Sequence, residues 1–305
     1  MTDRFATDAT VTLPPLAHGS GCRCALHARR RFAAYGAAAL ATPAAFAQDG
    51  LQGDVGKTSK FTKLVPAEQI EAAAAQQYQD MLRQASAQKA LGPADHPQVK
   101  RLRAIATRLI PYAEPWNPRA KGWKWEVNLI GSKQLNAFCM PGGKIAFYFG
   151  ILQQLQLTDD EVATIMGHEM AHALREHARE RMGKTAATRI GAGLLSSLLG
   201  LGSTGDALLN MGSQLLTLRF SREDESEADI VGMELAARAG YDPEAGVSLW
   251  NKMMGANKGA PPEFMSTHPA GDTRIRDIQA KLPKVQPIYA AAAKPSQRFE
   301  PPAKA

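Results

Sequence analysis

Cysteine is scarce in this chain: three among 305 residues, and Cys139 is the only one beyond residue 47. Residues 48–305 can therefore form no internal disulfide and no thiolate metal cluster. Long apolar runs are also missing. No uninterrupted stretch reaches the ~20 residues that span a bilayer, and the apolar region 191–218 is broken by Gly200, Gly202, Gly205, Asp206 and Gly212. Blocks of one charge sign are absent too, none exceeding three residues. The net charge is +7, but residues 1–47 carry five arginines against two aspartates, so the remainder is only mildly basic. That excludes the footprint of a nucleic-acid binder. No internal repeat occurs, and no Leu-x-x-Cys lipobox precedes Cys22 or Cys24, which argues against a lipid anchor.

What is present begins with a leader. Arg29-Arg30-Arg31-Phe32 precedes an Ala-rich apolar run ending in Ala45-Phe46-Ala47. Basic, apolar, then small is the order of a secretory signal peptide cleaved near Ala47, and the paired arginines fit a twin-arginine signal. The expected compartment is the periplasm. Removal of 1–47 leaves enough chain for one compact domain held by its core alone.

The chemistry concentrates in His168-Glu169-Met170-Ala171-His172. On a helix, residues four apart lie about 40° apart on one face, so both imidazoles can reach one metal ion. Glu169 borders the same cleft without being a ligand, placed to move a proton between a water and a leaving amine. Thr158-Asp159-Asp160-Glu161 reads as a capping box. Val162, Ile165, Met166, Met170, Ala173 and Leu174 then recur at helical spacing, predicting one long amphipathic helix over about residues 159–182, solvated from Arg175 onward.

Around it the pattern predicts an α+β, mostly helical domain over 64–289 with a small antiparallel sheet. Helices are expected over 66–91, 96–112, 220–240 and 272–282, with a strand over 123–130. Residues 135–140 and 144–149 flank Pro141-Gly142-Gly143 as a hairpin. Residues 48–63 read as flexible, 261–269 as a loop and 290–305 as a disordered tail. The region 191–218 reads as two short helices covering the active site, with peripheral membrane contact as the alternative.

A zinc site needs a third ligand. No Gly or His follows His172 at the short spacing that would supply one locally, so it must come from elsewhere. Ser221-Arg222-Glu223-Asp224-Glu225-Ser226-Glu227-Ala228-Asp229 is the candidate, since Glu225 and Asp229 share a helix face. Glu225 can bind the metal while Asp229 fixes a ligand histidine's tautomer. His96 and His177 are expected at the surface, and Cys139 as a small buried apolar side chain.

With these motifs, the chain resembles the HtpX-like and CaaX-prenyl-protease-like gluzincin metalloendopeptidases, in a soluble envelope branch. The resemblance covers about residues 98–283 and adds Asn136-Ala137-Phe138 before Pro141-Gly142-Gly143, and Thr267-His268-Pro269 with Arg274. It implies a gluzincin-type domain binding one zinc ion per chain through His168, His172 and Glu225. Glu169 would be the general base and Asp229 the orienting partner of a ligand histidine, His168. Asn136, Ala137 and Phe138 would form the edge on which a substrate strand pairs. His268 would lie near the metal, either donating to the developing oxyanion or filling the open metal position. The expected partners are extended or misfolded envelope proteins. The rival is a chaperone-like or latent client-binding module with a closed zinc site, and a zinc amidase is a weaker third.

Overall fold

Proline sets the start of the first two helices. Pro66 holds the extended backbone (φ −59°, ψ 132°) from which α1 (Ala67–Ala87) begins, burying Ile70, Ala73, Ala74 and Tyr78. Pro97 opens α2 (Pro97–Leu109), where the His96 ring accepts from Gln98 N at 3.1 Å. His96 is thus a half-buried helix cap. The computed structural model describes residues 50–190, 211–212, 214–256, 263–268 and 272–304; the expected leader, 1–47, and most of 191–218 lie outside the described residues.

The sheet contains β1 (Glu126–Ile130), β2 (Ala137–Met140) and β3 (Lys144–Tyr148) in the order β1-β3-β2. The expected hairpin forms: Ala137 faces Phe147 and Met140 faces Lys144, across a turn whose Gly142 and Gly143 have φ of 82° and 77°. The sheet is mixed, however, because β1 runs parallel to β3. The chain crosses the end of β3 between β1 and β2, where Gly150 N donates to Ser132 O at 2.8 Å and Tyr148 N to Asn136 O at 3.1 Å. That crossing puts β1 on the far edge from β2. Among the described residues no strand pairs with the outer edge of β2.

Helix α3 (Phe149–Gln154) leads to α4 (Asp159–Leu174), opened by the expected capping box: Thr158 Oγ1 accepts from Glu161 N at 3.3 Å and Glu161 Oε2 from Thr158 N at 2.8 Å. Only Asp160 and Thr164 of α4 are not buried, so it is a central helix covered all round, not an amphipathic one. The single helix expected over 159–182 is also two. Glu176 takes a left-handed backbone (φ 60°), and α5 (His177–Ile190) begins after it. Such a conformation costs a non-glycine residue roughly 1–2 kcal/mol. Its surroundings offset this: Asn117 Nδ2 donates to Leu174 O at 3.0 Å, and Arg179 Nη1 donates to both Glu176 carboxylate oxygens at 2.7 and 2.8 Å. The charged stretch is consequently packed, with Arg175 and His177 buried.

Ser221 starts α6 (Arg222–Arg238) with a second capping box, exchanging hydrogen bonds with Asp224 at 3.2 and 2.8 Å. Then come α7 (Ala245–Gly255), α8 (Glu263–Thr267) in the region expected as loop, and α9 (Asp272–Ala291). Helix α9 runs past the expected stop and through Pro283 and Pro287, because burial of Val285 and Ile288 outweighs the lost backbone bonds. Two further expectations fail for packing reasons. Residues 50–63 are seated, with Leu51 fully buried and its N–H on Glu234. The tail is not disordered: Phe299 N donates to Asp159 Oδ2 at 2.8 Å and Gln98 Nε2 to Glu300 O at 2.9 Å. No helix of the described residues is long and apolar enough to cross a membrane.

Candidate metal centre

Two glycines bring the site together. A Cβ on Gly167 of α4 would lie 2.7 Å from Gly232 O of α6, and one on Gly232 would lie 2.6 Å from His168 N. The helices therefore meet backbone to backbone, which lets short side chains on α6 reach the imidazoles of α4. His268, directly after α8, closes the group from a third direction.

His168, His172, Glu225 and His268 are all buried and each turns one donor atom to a common point. His168 Nε2 lies 3.1 Å from His172 Nε2, 3.3 Å from His268 Nδ1 and 3.5 Å from Glu225 Oε2. Glu225 Oε1 lies 3.0 Å from His268 Nδ1 and 3.5 Å from His172 Nε2. Zinc–nitrogen and zinc–oxygen bonds near 2.1 Å set tetrahedral ligand separations of roughly 3.4 Å. All four donors lie within 4.8 Å of one another, the separations given above fall near that spacing, and the nitrogen–oxygen set suits zinc.

The surroundings fix the proton positions. Asp229 Oδ1 lies 3.0 Å from His168 Nδ1, which makes that nitrogen the donor and leaves Nε2 with its lone pair toward the cluster. Burial alone would raise the Asp229 pKa, but Arg274 and the hydrogen bonds from Arg274 and His168 outweigh it and hold it at about 2. Arg274 donates to Asp229 at 2.7 and 2.8 Å, lies 2.7 Å from Glu225 Oε2 and stacks 3.8 Å above the Trp250 ring. Burial and neighbouring imidazoles push the His172 pKa well below the ordinary value, keeping it neutral as a metal ligand must be.

Glu169 is buried beside the cluster, and its Oε1 has no hydrogen-bond donor among the described residues. Burial raises its pKa, outweighing the opposing pull of His268 and His168. His268 Nε2 lies 3.4 Å from Glu169 Oε1, while Nδ1 faces Glu225. Burial would lower the His268 pKa, but the Glu169 and Glu225 carboxylates raise it. The cleft over Glu169 is lined by Asn136, Ala137 and Phe138 together with Leu215, Leu216 and Phe220. Cys139 is buried there and burial pushes its thiol pKa up, as expected of an unreactive apolar filler.

The structure thus places His168, Glu169, His172, Glu225, Asp229, His268 and Arg274 together, with Asn136, Ala137 and Phe138 lining the adjoining cleft, while Pro269 lies outside the described residues. It also adds three. Phe220 stacks on His172 (ring centroids 4.0 Å apart) and Phe264 on His268 (4.6 Å). The third corrects an expectation. His177 is not at the surface but buried, its Nδ1 2.9 Å from His172 Nδ1 and its Nε2 3.5 Å from Glu227 Oε2. No glycine or proline marks the helix break that carries it there.

The chain is similar to known proteins. The profile of peptidase family M48 matches residues 95–282. The mitochondrial metalloendopeptidase OMA1 of Schizosaccharomyces pombe is 39% identical over 166 residues, covering 53% of this chain and 48% of that protein. OMA1 of Saccharomyces cerevisiae is 31% identical over 214 residues, 66% of this chain and 61% of its own length. The metalloprotease LoiP of Escherichia coli is 28% identical over 195 residues, 63% of this chain and 73% of LoiP. The chain spans about half the length of the OMA1 relatives it matches. With the family profile extending over more than half of the chain and a donor set suited to zinc beneath it, this chain belongs to peptidase family M48, a family of zinc metallopeptidases.

Proposed function

We propose that this protein is an exported zinc-dependent metalloendopeptidase that hydrolyses peptide bonds in extended or misfolded envelope proteins, a quality-control role. The observation that carries this reading is Glu169 Oε1, a buried carboxylate oxygen that makes no hydrogen bond among the described residues and lies 3.4 Å from His268 Nε2, held beside the His168, His172 and Glu225 donors. Those three residues would hold zinc, which would supply a Lewis acid to polarise a carbonyl and acidify water. Glu169 takes the proton of the attacking water and returns it to the departing amine, a task suited to a carboxylate of raised pKa. His268 Nε2 donates to the oxyanion that develops beside Glu169. The substrate backbone adds to the outer edge of β2 at Asn136, Ala137 and Phe138, so recognition depends on extended main chain more than on sequence. The basic, apolar, small order of residues 29–47 supports export to the periplasm.

One observation favours the rival. His268 Nδ1 sits among the metal donors, and a fourth protein ligand makes a closed, latent centre that holds clients uncut. Two variants separate the readings, with casein as the unfolded substrate. Glu169→Gln is expected to keep zinc and fold but lose cleavage; a wild type that cuts no unfolded protein under any condition overturns the enzyme reading. His268→Ala lowers cleavage if its Nε2 serves the oxyanion and raises it if its Nδ1 closes the metal.

A further inference from the structure

The two Nδ1 atoms of His172 and His177, 2.9 Å apart in the buried interior, cannot both carry a proton and cannot both lack one. His172 turns Nε2 to the metal donors, 3.1 Å from His168 Nε2 and 3.5 Å from Glu225 Oε1. A ligand nitrogen needs its lone pair, so the His172 proton belongs on Nδ1. His177 Nδ1 is then the acceptor, its own proton is on Nε2, and that N–H faces Glu227 Oε2 at 3.5 Å. Glu227 is anchored in turn by Arg175, whose Nε donates to the same oxygen at 2.9 Å.

We infer that His177 is a positioning residue for zinc, orienting His172 through a Glu227–His177–His172 hydrogen-bond chain. This rests on the proposed ligand role of His172. It gives the second histidine ligand the support that Asp229 gives the first, but through a neutral ring in place of a carboxylate. Both rings are buried and Phe220 stacks on His172, so His172 is held by its edge and its face. The helix break is what makes the chain of bonds form. On a continuous helix, residues five apart point about 140° away from each other. The left-handed Glu176 turns α5 back so that His177 meets His172. The backbone strain at Glu176 therefore has a counterpart in the metal site.

The test compares wild type, His177→Asn, His177→Leu and His172→Ala as full-length proteins, measuring zinc affinity by chelator competition. Asn places Oδ1 where the histidine places Nδ1 and restores the acceptor; Leu fills similar space without one. Outer partners of metal-bound histidines typically carry about 10–100-fold in affinity. His177→Leu is expected to lose that much and His177→Asn to stay within about threefold of wild type. In the zinc-loaded wild type, nitrogen-15 NMR of the imidazoles should find the His172 proton on Nδ1. If His177→Leu binds zinc as tightly as wild type, if Asn fails to rescue, or if the His172 proton is on Nε2, the positioning role is wrong. If His172→Ala itself binds zinc like wild type, the ligand reading falls and the positioning role with it. Loss in His172→Ala with none in His177→Leu overturns the positioning role alone.

Discussion

At Glu169 burial and charge pull in opposite directions. Burial raises its pKa while the His268 and His168 imidazoles lower it, and burial wins. A base so placed holds a proton more readily than an exposed glutamate. General acid–base groups contribute typically 10²–10⁴-fold in rate. Glu169→Gln is therefore expected to lower cleavage by about three orders of magnitude or more while zinc stoichiometry, measured by atomic absorption, stays at one. Asp229 makes the opposite case. Its pKa falls from an ordinary 3.8 to about 2, held there by Arg274 and His168 against burial. Its ionised form thus stabilises the fold fully above about pH 4, and that contribution disappears as the pH falls toward 2. The shift corresponds to about 2 kcal/mol. Asp229→Asn keeps an acceptor for His168 but removes the charge facing Arg274. Urea unfolding of zinc-stripped proteins should show the variant about 2 kcal/mol weaker at pH 7, with the gap closing toward pH 2. An equal gap at both ends would assign the effect to packing.

At the scale of elements, the contact of α4 with α6 decides whether the donors converge. An alanine Cβ at Gly232 would meet His168 N at 2.6 Å and Gly167 C at 2.8 Å, both backbone, which no side-chain adjustment relieves. Gly232→Ala must push the helices apart, at a cost near or above the 1–3 kcal/mol typical of overpacking, and carry Glu225 and Asp229 away from His168. Thermal melting should register the first effect, and chelator competition at least a tenfold loss of zinc affinity the second. Gly255→Ala, in α7 where nothing lies within 4 Å of the added carbon, is the control and should change neither. The candidate donors were legible because the pentapeptide and the Glu225–Asp229 pair obey helical spacing, a local rule. The hairpin was legible from Pro141-Gly142-Gly143 for the same reason. The parallel pairing of β1 was not, since it depends on where a short crossing loop passes the end of β3. Nor was the break at Glu176, where tertiary bonds from Asn117 and Arg179 impose a conformation that no residue type advertises.

Across the whole molecule, the C-terminal tail shows how composition misleads when distant partners exist. Its Ala, Pro and Lys content offers little apolar area, yet it is pinned by polar bonds to the first turn of α4. Arg298 pairs with Asp160 at 2.8 Å, Phe299 N donates to Asp159 Oδ2 at 2.8 Å, and Gln156 Nε2 reaches Pro302 O at 2.8 Å. Asp159 is the key partner, because it is buried and also accepts from the fully buried Arg101 Nε at 2.6 Å. Removing residues 292–305 leaves that pair in place but takes one donor from a buried carboxylate. Hydrogen bonds to charged groups contribute about 1.5–3 kcal/mol, and the ordering entropy of the tail offsets part of the other contacts. A net loss of about 2 kcal/mol is expected, or a fall in Tm of roughly 4–8 °C for a domain of this size. Zinc affinity should not change, because His168 sits more than two turns along α4 from the tail's anchor. A truncated protein that melts with wild type would mean the tail's bonds merely replace bonds to water. One that loses zinc would mean the first turn of α4 and the metal centre move as a unit.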